Sequence, residues 1–187
     1  MAARKLSETL ELQLVSQDYN TAIVVDNMIA EWGSCPNPQL SVLLVHLKFL
    51  AAVHQNHHWV VKGDSFYGDH LLFQRLYDGV IAEIDSVAEK VVGLGVAENV
   101  DLHLQLSQLN RLVQGYGMTQ TIPQQTELAK RSLLAEMNFL VVAARLVESM
   151  KEYGCLTRGV DNLVAGIEDA HEGNVYLLKQ RCQSTTF

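Results

Sequence analysis

Four of the seven histidines fall between positions 54 and 70, in the stretch HQNHHWVVKGDSFYGDH. His54 and His58 are four residues apart, a spacing that sets two rings side by side on one helix face. His70 opens the next helical stretch, and Glu83, Asp85 and Glu89 lie further along it, Asp85 and Glu89 again four apart. Two imidazoles and two carboxylates form a mixed nitrogen and oxygen donor set that suits iron. Each group also has a plainer role. A histidine near a helix end interacts favourably with the dipole there and needs no metal, and acids at this spacing commonly form a solvated face. The last helical stretch contains Glu168-x-x-His171, the spacing of di-iron bundles, although such bundles use it twice.

Axial distance restricts how these groups combine. Along one helix His70 and Asp85 are about 22 Å apart, and His70 and Glu89 about 28 Å. No single ion is held by both ends of that span. If the four groups act together, the carboxylates must meet the histidines of a second chain, two such helices packing antiparallel about a two-fold axis that generates two identical sites. Joint action therefore requires a dimer.

The elements that hold these groups read as helices, with little strand-like alternation. A moderately amphipathic helix is expected over 6–32, and GSCPNP at 33–38 breaks it. A second helix is expected from Gln39 to about Val61; KGDSFYGD interrupts it, and Asp69 is a fitting N-cap for a third, from His70 to Leu94. DLHLQLSQLNRLV makes a shorter helix, GYGMTQTIP breaks again, and two long helices follow over 124–152 and 159–182. A 24-residue helix spans about 36 Å, a length that suits a bundle of near-parallel helices. A long crossover holding a short helix is a ferritin-like connection. The expected fold class is all-α: a ferritin-like four-helix bundle over 36–187 with a short helix in its crossover, preceded by an extra N-terminal helical extension in 1–35.

Composition bounds the rest. With 187 residues, 48% apolar and 19% charged, the chain can bury a core without disulfides. Cys35, Cys155 and Cys182 are an odd number at wide spacing, matching no zinc pattern and fitting reduced thiols. No apolar run approaches the ~20 residues of a membrane span. The first residues, MAARKLSETLELQ, lack an apolar signal core. A cytoplasmic protein without membrane attachment is expected. The net charge of −7 opposes nucleic-acid coating, which requires Lys and Arg on phosphates. The first 32 residues set Arg4 and Lys5 against Glu8, Glu11, Asp18, Asp26 and Glu31, so DNA binding through an N-terminal tail is not expected.

From about Leu40 to Gly95 the chain resembles the Dps-type mini-ferritins, the DNA-protection-during-starvation family of the ferritin-like superfamily. The resemblance rests on His58–Trp59, the Gly63 turn, Phe66, His70, Asp85 and Ala88–Glu89 before VVGLG. It is weaker beyond, resting on the crossover and HEGNVYLLKQ. It implies a homo-oligomer, a dodecameric shell built from two-fold dimers, that oxidises Fe(II) with hydrogen peroxide or oxygen and stores ferric mineral. Carried over by position, it makes His58 and His70 ligands from one subunit and Asp85 and Glu89 ligands from its partner, Glu89 bridging. Trp59 is implied as an electron donor beside the site. Where the family has an aspartate, this chain has Gln74, a neutral and poorer ligand, so one iron position is expected to be weaker. Glu136, Glu148 and Glu168 are candidates for acids lining an inner wall that draws iron inward. Two other readings stay open: a di-iron centre inside one bundle, using Glu168, His171, Glu136 and His54, and a non-catalytic ferritin-like shell that Gln74 would favour.

Overall fold

From Gln39 to Leu47 every residue of helix α2 (Pro38–Val60) is buried. A helix that is apolar nearly all round has to sit inside other elements. Helix α3 (Phe66–Leu94) covers one side of α2, α5 (Gln125–Glu152) another and the short α4 (Leu102–Gly115) a third, while α6 (Arg158–Cys182) packs on α5 and closes onto α3. The computed structural model describes residues 23–33, 37–115 and 125–182, with the side chains of 125–127 excepted. The expected helix over 6–22, the break at 34–36, most of the break before α5, and Cys35 lie outside the described residues.

Two hairpins, α2–α3 and α5–α6, make the bundle, and a 3-10 turn (Ala97–Val100) with α4 fills the crossover between them. This is the expected all-α, ferritin-like four-helix bundle, and no strand occurs among the described residues. Helix α1, described over 23–31, packs Val25, Met28 and Trp32 into the same core as α2. Its polar contacts fix its position: Trp32 Nε1–H donates to Gln108 Oε1 (3.2 Å), Gln108 Nε2–H donates to the Met28 carbonyl (3.0 Å), and Asp26 and Glu31 pair with Arg145 and Arg111.

One boundary differs from expectation. Helix α3 begins at Phe66, a turn before His70, because Gly63 at φ 92° reverses the chain within five residues of the end of α2. That conformation favours glycine. Asp69 therefore does not cap α3. It lies inside the first turn, 2% exposed, where its carboxylate receives Arg181 from the end of α6, Nη2 to Oδ2 at 2.8 Å and Nε to Oδ1.

The apolar interior is divided. A large cluster runs from α1 through Leu43, Leu47, Leu50, Val87, Phe139, Leu146 and Val164, and a small one joins Val61, Phe73, Leu76, Leu128, Ala129 and Leu178. Between them every bundle helix contributes polar side chains.

Candidate metal centre

The Gly63 turn brings the last turn of α2 against the first turn of α3, and with them His58 and His70. The two rings stack at a centroid distance of 3.8 Å, with Phe66 stacked on the far side of His70 at 5.0 Å and the edge of Tyr77 at 5.3 Å from His58. His58 Nδ1 donates to the His70 carbonyl and His70 Nδ1 to the His58 carbonyl, both at 3.0 Å. A carbonyl only accepts, so each Nδ1 carries a proton, and the tautomer this selects leaves Nε2 as the nitrogen that can bind a metal. A backbone acceptor on one ring nitrogen is how a protein orients the other toward a metal. Both residues are only partly buried.

The other expected residues do not reach this pair within the chain. Asp85 and Glu89 are exposed on the distal half of α3, and among the described residues no three imidazole, thiol or carboxylate groups are arranged to hold an ion. They do share a face with His70. At about 100° per residue, His70, Gln74, Ile81, Asp85 and Glu89 fall on one stripe of α3, with Ile81 50% exposed near its centre. Trp59, beside His58, is 68% exposed. Gln74 is half-buried on the same stripe between His70 and Ile81.

A second polar assembly occupies the layer between the two apolar clusters. Glu136 on α5, His54 on α2 and His171 on α6 are fully buried. His54 Nε2–H donates to Glu136 Oε1 at 2.8 Å, His171 Nδ1–H donates to Glu136 Oε2, and His171 Nε2–H donates to Glu83 Oε2 of α3 at 2.9 Å. Asn174 Nδ2 adds a bond to Glu136 Oε1 at 3.3 Å. Ser132 Oγ accepts from His57 Nδ1 at 2.8 Å and turns its hydroxyl to His54 Nδ1 at 3.1 Å.

Charge in this layer is set by the pairing. Burial alone would raise the Glu136 pKa, but hydrogen bonds from His171 and His54 override it and hold the carboxyl down to about 2. Burial alone would lower that of His171; its bonds to Glu136 and Glu83 raise it to about 9. His57 moves the other way, down to about 3, through burial and then the nearby His54 and Arg131 charges.

Two expectations are thereby corrected. Glu136 does not line an inner wall, because it is buried within the bundle by its imidazole partners. Of the residues read as an intra-bundle centre, His54, Glu136 and His171 meet, whereas Glu168 is bonded to none of them. Its pKa is raised by burial and then by Glu172 and Asp161. Sequence reasoning did not place Glu83 or Ser132 in this group. The usable signal is a polar residue at a core position: Ser132 and Glu136, four apart, both fall where α5 should be apolar.

No model of a protein family matches the chain. By sequence it is 32% identical over 85 residues to a nutrient stress-induced DNA-binding protein of Nostoc sp., covering 45% of this chain and 44% of that protein. It is 27% identical over 110 residues to DNA protection during starvation protein 2 of Bacillus anthracis, covering 56% of this chain and 65% of that one. An uncharacterised protein of Haemophilus influenzae matches at 36% over 45 residues, 24% of this chain and 28% of its own length. The chain thus spans less than two thirds of each of these relatives.

Among solved structures it is similar to DpsC from Streptomyces coelicolor, with a TM-score of 0.68 at 19% identity, over 90% of this chain and 88% of that one. An archaeal Dps homologue from Halobacterium salinarum gives 0.67 at 15% over 90% and 84%, and Dps from Thermosynechococcus elongatus 0.64 at 18% over 89% and 97%. The resemblance to the Dps-type mini-ferritins is borne out by both sets of matches. No helix among the described residues is long and apolar enough to cross a membrane.

Proposed function

We propose that this chain, which carries the fold of the Dps-type mini-ferritins, is an iron-storage and detoxification protein. It oxidises Fe(II), its substrate, at a site shared by two subunits and stores the ferric product as mineral in a dodecameric shell, in a cytoplasmic setting. The observation that carries the proposal is the His58–His70 pair, stacked on each other with both proton-bearing nitrogens tied to backbone. On the same stripe of α3, about 22–28 Å away, stand the two exposed carboxylates that an antiparallel partner would bring to those rings. Ile81 lies near the midpoint and supplies apolar area at the axis, the kind of exposed apolar position that marks contact surfaces.

His58 and His70 of one subunit would bind Fe(II) through Nε2, and Asp85 and Glu89 of the partner would neutralise its charge, Glu89 bridging two ions. Each Fe(II) gives up one electron; one hydrogen peroxide takes both and, with two protons, leaves as two waters. Trp59, exposed beside His58, would reduce radicals that escape this pairing. Gln74 brings no charge to the second iron position, which should therefore fill weakly. Although two relatives carry DNA in their names, a net charge of −7 opposes phosphate contact, and DNA binding is not part of the proposal.

The test is Fe(II) oxidation under oxygen and under peroxide, on protein sized by light scattering, with Asp85→Ala/Glu89→Ala run beside the unaltered chain. A cage that oxidises iron at least tenfold faster than the assembled variant supports the shared site. Equal, slow rates in two intact cages would mean that Gln74 marks a lost centre and that the chain forms a non-catalytic shell.

A further inference from the structure

We propose that the cavity between the start of α2 and the end of α5 is a binding site for a free α-amino acid with an apolar side chain, its ammonium held by Gln39 and its carboxylate by Arg145. The site lies at the other end of α2 from His58, about 29 Å along the helix, and is independent of iron handling.

The cavity has a volume of about 610 Å³, with Asp26 and Ile29 of α1 in one wall and Tyr153, just past α5, in another. Two of its lining side chains carry a polar atom that is buried and, among the described residues, has no hydrogen-bond partner. Gln39 is 2% exposed and donates from Nε2 to Ser149 Oγ at 3.1 Å, which leaves its Oε1 unpaired. The other unpaired atom is Nε of Arg145. Ser149 and Arg145 are four apart on α5, so the bond to Ser149 sets the Gln39 amide about one helical turn from Arg145. Leaving a buried acceptor and a buried donor unmet is costly, and groups of that kind in a folded protein call for a partner.

The two atoms require opposite chemistry. An amide oxygen only accepts and a guanidinium N–H only donates, so one molecule that satisfies both carries a donor close to an acceptor. The helix ends sort these by charge. Helix α2 starts in the cavity wall at Pro38 with no acid in its first turn, and Asn37 before it makes no side-chain cap, its Nδ2 donating instead to the Leu94 carbonyl at 3.3 Å. Helix α5 ends in the same wall at Glu152, and Gln39 reaches across to Ser149 in its last turn. The positive end of one dipole and the negative end of another thus border one cavity, favouring a carboxylate at the first and an ammonium at the second. The Nη groups of Arg145 are shared by Asp26 at 3.3 Å, Glu152 at 3.8 Å and Glu148 at 4.0 Å. Three carboxylates around one guanidinium disfavour a simple anion and favour a ligand that brings its own cation. An α-amino acid has both charges on one carbon. Its ammonium donates to Gln39 Oε1, its carboxylate accepts from Arg145 Nε–H, and Ile29 and Pro38 offer apolar surface to its side chain.

L-leucine is the probe, titrated by calorimetry into the whole protein beside two truncated analogues. 3-Methylbutylamine lacks the carboxylate and 4-methylpentanoate lacks the ammonium. Leucine should bind at about one equivalent per chain with a Kd below about 1 mM. Each analogue should bind at least about tenfold more weakly, the scale of one lost charge-assisted hydrogen bond. Two variants locate the site. Arg145→Lys keeps a cation beside Asp26 and removes Nε–H; Gln39→Met keeps the side-chain length and removes the acceptor. With helical circular dichroism unchanged, each should weaken leucine at least about tenfold. Should Gln39→Met fail to fold, Arg145→Lys, altered at a partly exposed position, decides alone. No leucine binding up to about 10 mM overturns the proposal, as does equal affinity for either analogue or an unchanged affinity in folded Arg145→Lys. Water alone would then serve the two atoms. Because iron oxidation is not measured, this outcome is independent of the shared ferroxidase site.

Discussion

His58 and His70 hold each other in place through the backbone, each ring donating from Nδ1 to the other's carbonyl at 3.0 Å while the rings stack at 3.8 Å. Neither depends on a metal for its orientation. The pair is preorganised, and in the proposed shared site a second subunit would supply the negative charge.

That division of labour can be tested by mixing. His58→Ala/His70→Ala and Asp85→Ala/Glu89→Ala proteins should each be inactive in Fe(II) oxidation. A mixed two-fold dimer joins the histidines of one chain to the carboxylates of the other and regenerates one site of two. Unfolded and refolded together at equal ratio, the two inactive proteins should recover roughly a quarter of the unaltered rate, since about half of random dimers are mixed and each has one intact site. No recovery in assembled mixtures would exclude a shared site.

Ile81 should matter although it binds nothing. Replacing this half-exposed residue by arginine sets like charges against each other at the axis, where close repulsion costs several kcal/mol. Ile81→Arg is expected to shift the protein to smaller species in light scattering and to lose iron oxidation with all four ligands unchanged. A full-size cage from Ile81→Arg would move the axis elsewhere on α3.

The metal-free protein should be most stable slightly below neutrality. His171 holds its proton more tightly folded than unfolded, so its contribution is complete below pH 6.5 and is lost as pH rises toward about 9. Glu136 contributes above pH 4.5 and loses that contribution as pH falls toward about 2. His46 is lowered to about 4, by burial offset in part by the Val42 carbonyl, so folding it neutral costs more as pH falls below 6.5. Urea unfolding should show a maximum near pH 6.5 and a decline on both sides. His171→Gln should be less stable at the maximum but flatter toward pH 9; an unchanged alkaline slope would show that no proton is held there.

The clamp between α3 and α6 can be opened without touching either polar centre. Arg181→Leu removes the guanidinium from Asp69, which is nearly fully buried. Breaking a fully buried pair costs roughly 3–5 kcal/mol; with Arg181 itself 28% exposed, about 2 kcal/mol is expected. Denaturant titration measures it. A loss below about 0.5 kcal/mol, the range of ordinary surface changes, would mean that water replaces the arginine.

The helices and their order are legible in the sequence because each is long and periodic, and the His58–His70 pair because both residues flank one turn. The start of α3 is less so: Asp69 has the chemistry of a cap, but Gly63 decides where the chain reverses, and Asp69 is left to pair with a residue 112 positions away. The polar layer is hardest to read. His54, Glu136 and His171 each stand out as polar residues at core positions, yet their meeting depends on the axial register of three helices, which local spacing does not encode. Glu83, between Ile81 and Asp85, looks like part of a solvated face until α6 is packed against it.

The divided interior has a consequence for motion. Exchange of buried amide hydrogens reports local opening, and segments backed by fewer apolar contacts open at lower free energy. Among the described residues the smaller apolar cluster, with six fully buried members, underlies the end that bears His58 and His70, while the larger one holds α1 and the opposite end. Helix breathing in an isolated chain is therefore expected to begin at the end proposed to handle iron. A neighbour seated on the α3 stripe, as proposed, would both complete that end chemically and slow its amide exchange.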